Sequence, residues 1–567
     1  MADPASVWRT AYRHPTRWDM DFAPMSLPAM FEAAAVKWPD RPLIDFLGRR
    51  FTYRETQSGV RRVAAGLAAL GVGKGDRIGL FLPNVPHYVA AYYGALAIGA
   101  TVVNFSPLYT VDELAHQVED SGTRMLFTVS ATALLPTALK VMEKSGLERL
   151  IVGSVAGVLP ATKSLFYRLF RGKEVARKPD DPRVMAFSRL IQNEGRAPDV
   201  RIDPEGDVAL LQYTGGTTGT PKGAMLTHQA MTANARQIVA VDPHAAEADR
   251  IVGVLPLFHI FANAAVLNRT VLNGGEIVML PRFDAAQTLA AIQRTRATAM
   301  PGVPTMYQAL LDHPKTASTD FSSLRVCISG GAPLPVELKT RFEATTGAKL
   351  CEGYGLTESG IASTNPYEGE NRTGTIGQPL PATLFRLVDR EDPEMPAPEG
   401  EPGEIVIHGP QIMKGYWNRP DADTNVFVDG GLRTGDVGTI DADGYIRIVD
   451  RLKDMIAVGG FKVFPSQVEA VLYGHEAVKE AIVIGVPDVY HGEMPKAFVT
   501  LKEGERVTGD ALRTWLNARL GKHERVVAVE VRDGLPKTLI GKLSRKELVA
   551  EEREKAAAVT AEASTPA

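Results

Sequence analysis

Cysteine is almost missing from this chain: Cys327 and Cys351 are the two thiols among 567 residues. A disulfide framework and a cysteine-built zinc site are thereby excluded, and a reducing, cytoplasmic setting is expected. An excess of either charge is missing too. Lysine and arginine total 63 against 66 acidic residues, a net charge of −3, so there is no sign of the global basic field of a nucleic-acid binder and no nucleic-acid partner is expected. Any polyanion has to be met locally. The opening segment is polar, with arginines at 9 and 13, and lacks the unbroken apolar core of an export signal. The nearest approach to a membrane span, 88–105, is uncharged but rich in alanine and glycine. It reads instead as a buried helix over 90–98, stopped by Gly99, with a strand beginning at 100.

What is present is an average globular composition, 45% hydrophobic and 23% charged, at a length that implies about three to four domain-sized units. Between 51 and 129, helical stretches (56–70, 111–120) alternate with short apolar runs (77–82, 124–129), and the alternation resumes with runs at 208–213, 251–256, 276–280 and 324–329. This is the pattern of parallel α/β layers. From 376 to 448 the texture changes to short β-branched runs (384–388, 403–408, 445–449) between Asp, Gly and Pro turns, the pattern of a small antiparallel β subdomain. After 450 a compact α+β pattern follows: helical at 467–472 and 509–520, extended at 478–486, 497–501 and 526–531. The fold class is therefore α/β, with a large N-terminal domain over 1–450, its β subdomain at 376–450, and a small α+β C-terminal domain over 451–550. The tail 551–567 has no aromatic, leucine or isoleucine residue and is expected to be frayed helix or disorder.

One segment stands apart. In KSLFYRLFRGKEVARK (163–178), Leu165, Phe166, Leu169 and Phe170 are interleaved with Lys163, Arg168, Arg171 and Lys173. On a helix this makes an amphipathic basic face suited to peripheral contact with an anionic membrane, and an ordinary surface helix covering a core is the competing reading.

Chemistry concentrates at 212–227, QYTGGTTGTPKGAMLT, directly after an apolar strand. Glycines let backbone amides approach an anion, threonine hydroxyls add donors, and Lys222 adds positive charge, which together suit phosphate. The spacing is not that of a Walker A loop. GVGKGDRIG at 71–79 looks superficially similar, but it precedes a strand instead of opening a helix and reads as a turn.

YTGGTTGTPKG resembles the phosphate loop of the adenylate-forming superfamily, which includes acyl-CoA synthetases, luciferases and peptide-synthetase adenylation domains. Further matches follow in the family's order: LPLFHIFAN (255–263), GGAPL (330–334), EGYGLTES (352–359), RTGDVG (433–438), DRLKDMIAVGGFKVFPSQVEA (450–470) and PKTLIGKLSRKEL (536–548). The likeness spans roughly 21–548. It implies an ATP-dependent acid–thiol ligase that uses Mg²⁺, with CoA as co-substrate and a C-terminal domain that moves. A free carboxylate resists nucleophilic attack, so its oxygen must first become part of a good leaving group; adenylation does this.

By this resemblance Thr214, Gly215, Gly216, Thr217, Thr218, Gly219 and Lys222 hold the β- and γ-phosphates, Thr357 touches the α-phosphate, and Glu358 meets Mg²⁺ as a hard oxygen ligand. Gly331, Ala332 and Pro333 lie along one adenine face and Tyr354 along the other, with Glu352 and Gly353 beside it. Asp436 accepts from the ribose hydroxyls and Arg451 adds a ribose or phosphate contact. Lys542 bridges the substrate carboxylate and the α-phosphate. Lys453 marks the pivot, and Gly459, Gly460 and Phe461 form the loop that leaves room for the pantetheine arm of CoA.

The acid is narrowed by what is absent. Adenylation domains for amino acids carry an aspartate in the LPLFHIFAN region; His259 stands in its place here, and a buried ammonium would lack its partner. Acetyl-specific relatives close the pocket with tryptophan after the tyrosine of EGYGLTES, whereas this chain has Gly355. A deeper channel lined by Phe258, His259, Phe261 and Val303 follows. The joint wording is most similar to bacterial long-chain fatty-acid CoA ligases, with aromatic-acid CoA ligases and fatty acyl-AMP ligases as competitors within the fold. A non-catalytic nucleotide- or lipid-binding homologue is the alternative from another class, and the intact Lys222, Glu358, Asp436, Arg451 and Lys542 argue against it. The expected partners are small molecules, fatty acid, ATP and CoA, with a homodimer as a further possibility. Cys327 and Cys351 read as buried small hydrophobes, since the thioester forms on CoA.

Overall fold

The computed structural model describes residues 5–214, 221–459, 461–488, 490–538 and 542–563. The chain divides into two compact units, Met1–Leu384 with Ile407–Leu432, and Phe385–Val406 with Arg433–Ala567.

The first unit is built on two sheets. In the seven-stranded one the order is Val184–Ala186, Arg149–Gly153, Thr123–Val129, Arg77–Leu80, Thr101–Asn104, Val208–Thr214 and Lys222–Thr227; all its pairs are parallel except the last, antiparallel one. The nine-stranded one runs Gln378–Pro379, Gly360–Thr364, Lys349–Leu356, Val326–Ser329, Ala299–Gly302, Arg250–Gly253, Glu276–Met279, Pro42–Phe46 and Arg49–Thr52. Its middle, from Lys349–Leu356 to Pro42–Phe46, is parallel. Burial on both faces explains why these strands read as unbroken apolar runs.

The helix expected at 90–98 is Pro86–Ala97, all but sealed from solvent, and Gly99 ends it at φ +73° before the strand Thr101–Asn104. The stretch 56–70 is the helix Tyr53–Ala69, opened by a capping box in which Thr52 and Glu55 satisfy each other's amides. The turn reading of 71–79 holds: Gly71 and Gly75 take φ of +80° and +84° ahead of Arg77–Leu80. Both thiols are buried, and burial pushes the Cys351 thiol up to about 12 and that of Cys327 well above its usual range. Neither is a nucleophile at neutral pH.

The second unit contains most of the small β subdomain, with Gly431–Ile440 paired antiparallel to Ile446–Arg451. Its other sheet orders Phe461–Val463, Ile456–Val458, Gly492–Leu501 and Val478–Asp488, with Ala528–Val531 parallel to Gly492–Leu501. Pro465–Tyr473 and Gly509–Asn517 bury Val468, Leu472, Leu512 and Leu516 against this sheet in a separate core. The last helix, Lys546–Ala563, carries the start of the tail, and Leu548 in its first turn is fully buried beside Ile482, Ile484 and Phe498. Among the described residues no helix is long and apolar enough to cross a membrane.

Candidate active site

In the first unit the motif loops leave the carboxyl ends of neighbouring parallel strands, where open α/β sheets place their ligands. Arg250–Gly253 leads to Phe258, His259 and Phe261, Ala299–Gly302 to Val303, Val326–Ser329 to Gly331, Ala332 and Pro333, and Lys349–Leu356 carries Glu352 to Gly355 and leads to Thr357 and Glu358. The first loop is pinned from below. The buried Asn84 donates to the carbonyls of Gly253 and Leu255 (3.2 and 2.9 Å) and accepts from the Leu257 amide (2.8 Å), while the Tyr88 hydroxyl donates to the Leu257 carbonyl at 2.9 Å.

Within this cluster Gly331 takes φ +82°, and a side chain on Gly330 would meet the Phe261 ring at 3.1 Å. Glu352 accepts from the Leu334 amide at 3.2 Å, which ties the GGAPL loop to the EGYGLTES strand. Phe258 and Val303 are buried. His259 is half-buried, and its Nδ1 accepts from the Phe261 amide at 3.3 Å, capping the turn Ile260–Ala262. The histidine thus has a local structural role whatever it contacts in a pocket. Gly355 has one as well: a Cβ there would run into the carbonyl oxygen of Gly360.

Thr214 ends its strand opposite Lys222 across the hairpin. Gly215, Gly216, Thr217, Thr218 and Gly219 lie outside the described residues. Lys222 is exposed, with its ammonium over the Tyr416 ring, 5.1 Å from the centroid. The Tyr416 hydroxyl donates to Glu358 at 2.8 Å. Burial, then the Glu358 carboxylate, raises the Tyr416 hydroxyl well above its ordinary pKa, so it stays a donor. The segment bearing Tyr416 is laced onto the hairpin by the pairs Met225 N to Gly415 O, Lys414 N to Met225 O and Trp417 N to Gly223 O (2.8 to 2.9 Å), and the Met413 amide reaches the Glu358 carbonyl at 2.8 Å. A cation, a phenol and a carboxylate from three distant stretches are thereby set in a row. Tyr416, Asn84 and Tyr88 were not singled out in the sequence; the one available signal was KGYWNRP at 414–420, whose aromatic pair and turn residues had no visible partner.

In the second unit Asp436 and Arg451 face each other across adjacent strands, and the Arg451 Nε lies 2.7 Å from the buried Asp436 carboxylate. Lys542 is half-buried, and its amide donates to the Thr538 hydroxyl at 3.1 Å. Burial first, and then the Arg451 charge, lowers the Lys542 ammonium to about 8, with Asp436 opposing. Lys453, in the turn Leu452–Asp454, is lowered by burial and then by Arg451. Gly459 takes φ +56° after the strand Ile456–Val458, and its amide donates to the His491 carbonyl at 2.8 Å. Gly460 lies outside the described residues; the backbone of Phe461 opens the paired strand Phe461–Val463.

A large α/β unit with its motif loops at strand ends and a small α+β C-terminal region is the architecture of the adenylate-forming enzymes. The chain belongs to the AMP-binding enzyme family, which matches residues 31–417, and residues 467–542 match the AMP-binding enzyme C-terminal domain. It is 40% identical over 552 residues to the long-chain-fatty-acid–CoA ligase of Bacillus subtilis (strain 168), covering 96% of this chain and 98% of that one. It is 38% identical over 505 residues to a feruloyl-CoA synthase of Amycolatopsis sp, covering 88% and 94%. Among solved structures, the anthranilate CoA ligase AuaEII in complex with anthranoyl-AMP aligns with a TM-score of 0.84 at 27% identity, over 95% of this chain and 99% of that one. The protein is an acid–thiol ligase acting as an acyl-CoA synthetase, with ATP and CoA as co-substrates.

Proposed function

We propose that the acid is a long-chain fatty acid. The observation that carries this reading is the near-complete collinearity, at 40% identity, with a protein named for that activity. The apolar Phe258, Phe261 and Val303 at the strand ends agree with an alkyl chain, and His259 in place of an aspartate disfavours an amino acid. The feruloyl-CoA and anthranilate relatives favour an aromatic acid as the second reading.

In the proposed reaction the carboxylate oxygen attacks the α-phosphorus of ATP, pyrophosphate leaves, and the CoA thiol then attacks the acyl carbonyl and expels AMP. Thr214, residues 215–219 and Lys222 hold the β- and γ-phosphates, Thr357 the α-phosphate, and Tyr354 with Gly331 to Pro333 the adenine. Asp436 receives the ribose. Lys542 holds charge at the reacting oxygens, a preorganised donor whose loss costs about 10²- to 10³-fold. Glu358 fits Mg²⁺, an ion that takes one or two carboxylates alongside phosphate oxygens; when bound, the ion neutralises charge on the triphosphate. Lys453 serves as the pivot, and Gly459 to Phe461 receive CoA.

A panel of acids from acetate to oleate, with benzoate and coumarate, tests the assignment by following AMP and thioester with purified protein. The highest kcat/KM is expected for long alkyl acids. A higher value for coumarate or benzoate overturns the alkyl assignment, and AMP without thioester points to an acyl-AMP ligase.

A further inference from the structure

The helix Ala161–Phe170 has no part in the chemistry above. It lies on the first unit with Ser164 and Tyr167 half-buried, Tyr167 against the core. At about 100° per residue, the opposite face carries Leu165, Phe166, Leu169 and Phe170, which are 61%, 59%, 66% and 69% exposed. The Phe166 and Phe170 rings lie 4.6 Å apart, so the patch is one continuous surface. The other exposed large apolar side chains among the described residues are scattered along the sequence, with no more than two, Val527 and Val531, in any one stretch. Single exposed hydrophobes are ordinary; four on one helix face mark a contact surface.

The flanking charge says what covers it. Residues 163–178 contain six cations (Lys163, Arg168, Arg171, Lys173, Arg177, Lys178) and one acid, Glu174, a net of +5 in a chain whose total is −3. Lys163, Arg171, Lys173, Arg177 and Lys178 are exposed; Arg171 pairs with Glu174 at 2.6 Å, Lys163 reaches the Leu47 carbonyl at 2.8 Å, and Lys178 donates to the Pro179 and Val184 carbonyls at 2.8 and 3.1 Å. A second copy packed face to face would set like charges against each other. An apolar stripe bordered by cations instead complements a surface that is apolar inside and anionic at its rim.

We propose that this helix lays its apolar face into an anionic bilayer surface while Lys173 and Arg177 meet lipid phosphates. The proposal goes beyond the acid specificity and does not depend on it. Its test is co-sedimentation of the full-length protein with phosphatidylcholine vesicles containing no anionic lipid or about 30% phosphatidylglycerol. Binding to the anionic vesicles is expected, weakening as salt rises from about 0.05 to about 0.5 M. A variant carrying Leu165→Ser, Phe166→Ser, Leu169→Ser and Phe170→Ser should lose at least about tenfold in partition while keeping the native melting temperature. Lys173→Glu with Arg177→Glu, which leaves the apolar face intact, should remove the salt-sensitive component. No binding by the native chain, equal binding by the serine variant, or a native dimer in size exclusion that the serine variant dissolves would each overturn the proposal, the last by showing a second copy on this face.

Discussion

Lys542 shows how the second unit can set the working pH. An unburied lysine keeps its proton to about pH 10, but burial and the Arg451 charge bring this one to about 8. Below pH 8 the ammonium is present; as pH rises through 8 it is lost, and with it the charge proposed to hold the carboxylate and α-phosphate. The expected outcome is a descending limb near pH 8 in kcat/KM for carboxylate-dependent pyrophosphate release. The limb should move upward at saturating ATP, whose phosphates favour the charged form, and vanish in Lys542→Arg, whose guanidinium does not titrate there. Thioester formation from pre-formed acyl-adenylate should lack the limb; a limb of equal size in both half-reactions would assign it to another group. Lys542 was legible as a position because its motif is contiguous, but its shifted pKa was not, because Arg451 and Asp436 lie far away in sequence. Tyr416 was invisible for the same reason: its partner Glu358 is 58 residues away, and nothing local in KGYWNRP names a carboxylate.

Many strands buried on both sides were legible, although Arg149–Gly153 and Ala299–Gly302, just as buried, were too short and too weakly bounded to be read. The runs at 77–82, 208–213 and 276–280 became the strands Arg77–Leu80, Val208–Thr214 and Glu276–Met279, displaced by a residue or two at their ends. Less legible was Lys222–Thr227, the antiparallel partner of Val208–Thr214, because its residues read first as the end of a phosphate motif. The helical reading of the tail agrees with Lys546–Ala563, and what composition could not show is its anchor, Leu548, which is fully buried just before the tail begins. Gly355 marks a limit of motif comparison. Its Cβ direction leads into the Gly360 carbonyl, on an antiparallel pair whose register shifts between Tyr354 and Gly355. Gly355→Ala should therefore cost roughly 1–3 kcal/mol through backbone displacement, seen as a lower melting temperature, with the ratio of kcat/KM between a long and a medium alkyl acid unchanged. A changed ratio at native stability would return the glycine to the acyl channel.

For the molecule as a whole, near-neutral charge means that two polyanionic co-substrates are met by placed groups and not by a general field. Lys222 over Tyr416 in one unit, and Arg451 with Lys542 in the other, are the groups proposed for this role. The same economy applies to metal. Among the described residues no three His, Cys, Asp or Glu side chains gather to hold an ion, and Glu358 alone offers one carboxylate, already accepting from Tyr416. A single carboxylate is a poor resident site but a good clasp for an ion that arrives on a triphosphate. Exhaustively dialysed protein should then carry well under one Mg²⁺ per chain, and the rate at limiting metal should follow the concentration of the Mg²⁺–ATP complex. Glu358→Gln should raise the Mg²⁺ needed for half-maximal AMP formation by about tenfold, the order found when a group supporting a metal site is lost, while leaving the melting temperature near that of the native chain. Stoichiometric metal surviving dialysis, or an unchanged Mg²⁺ requirement in the variant, would place the ion on groups other than Glu358.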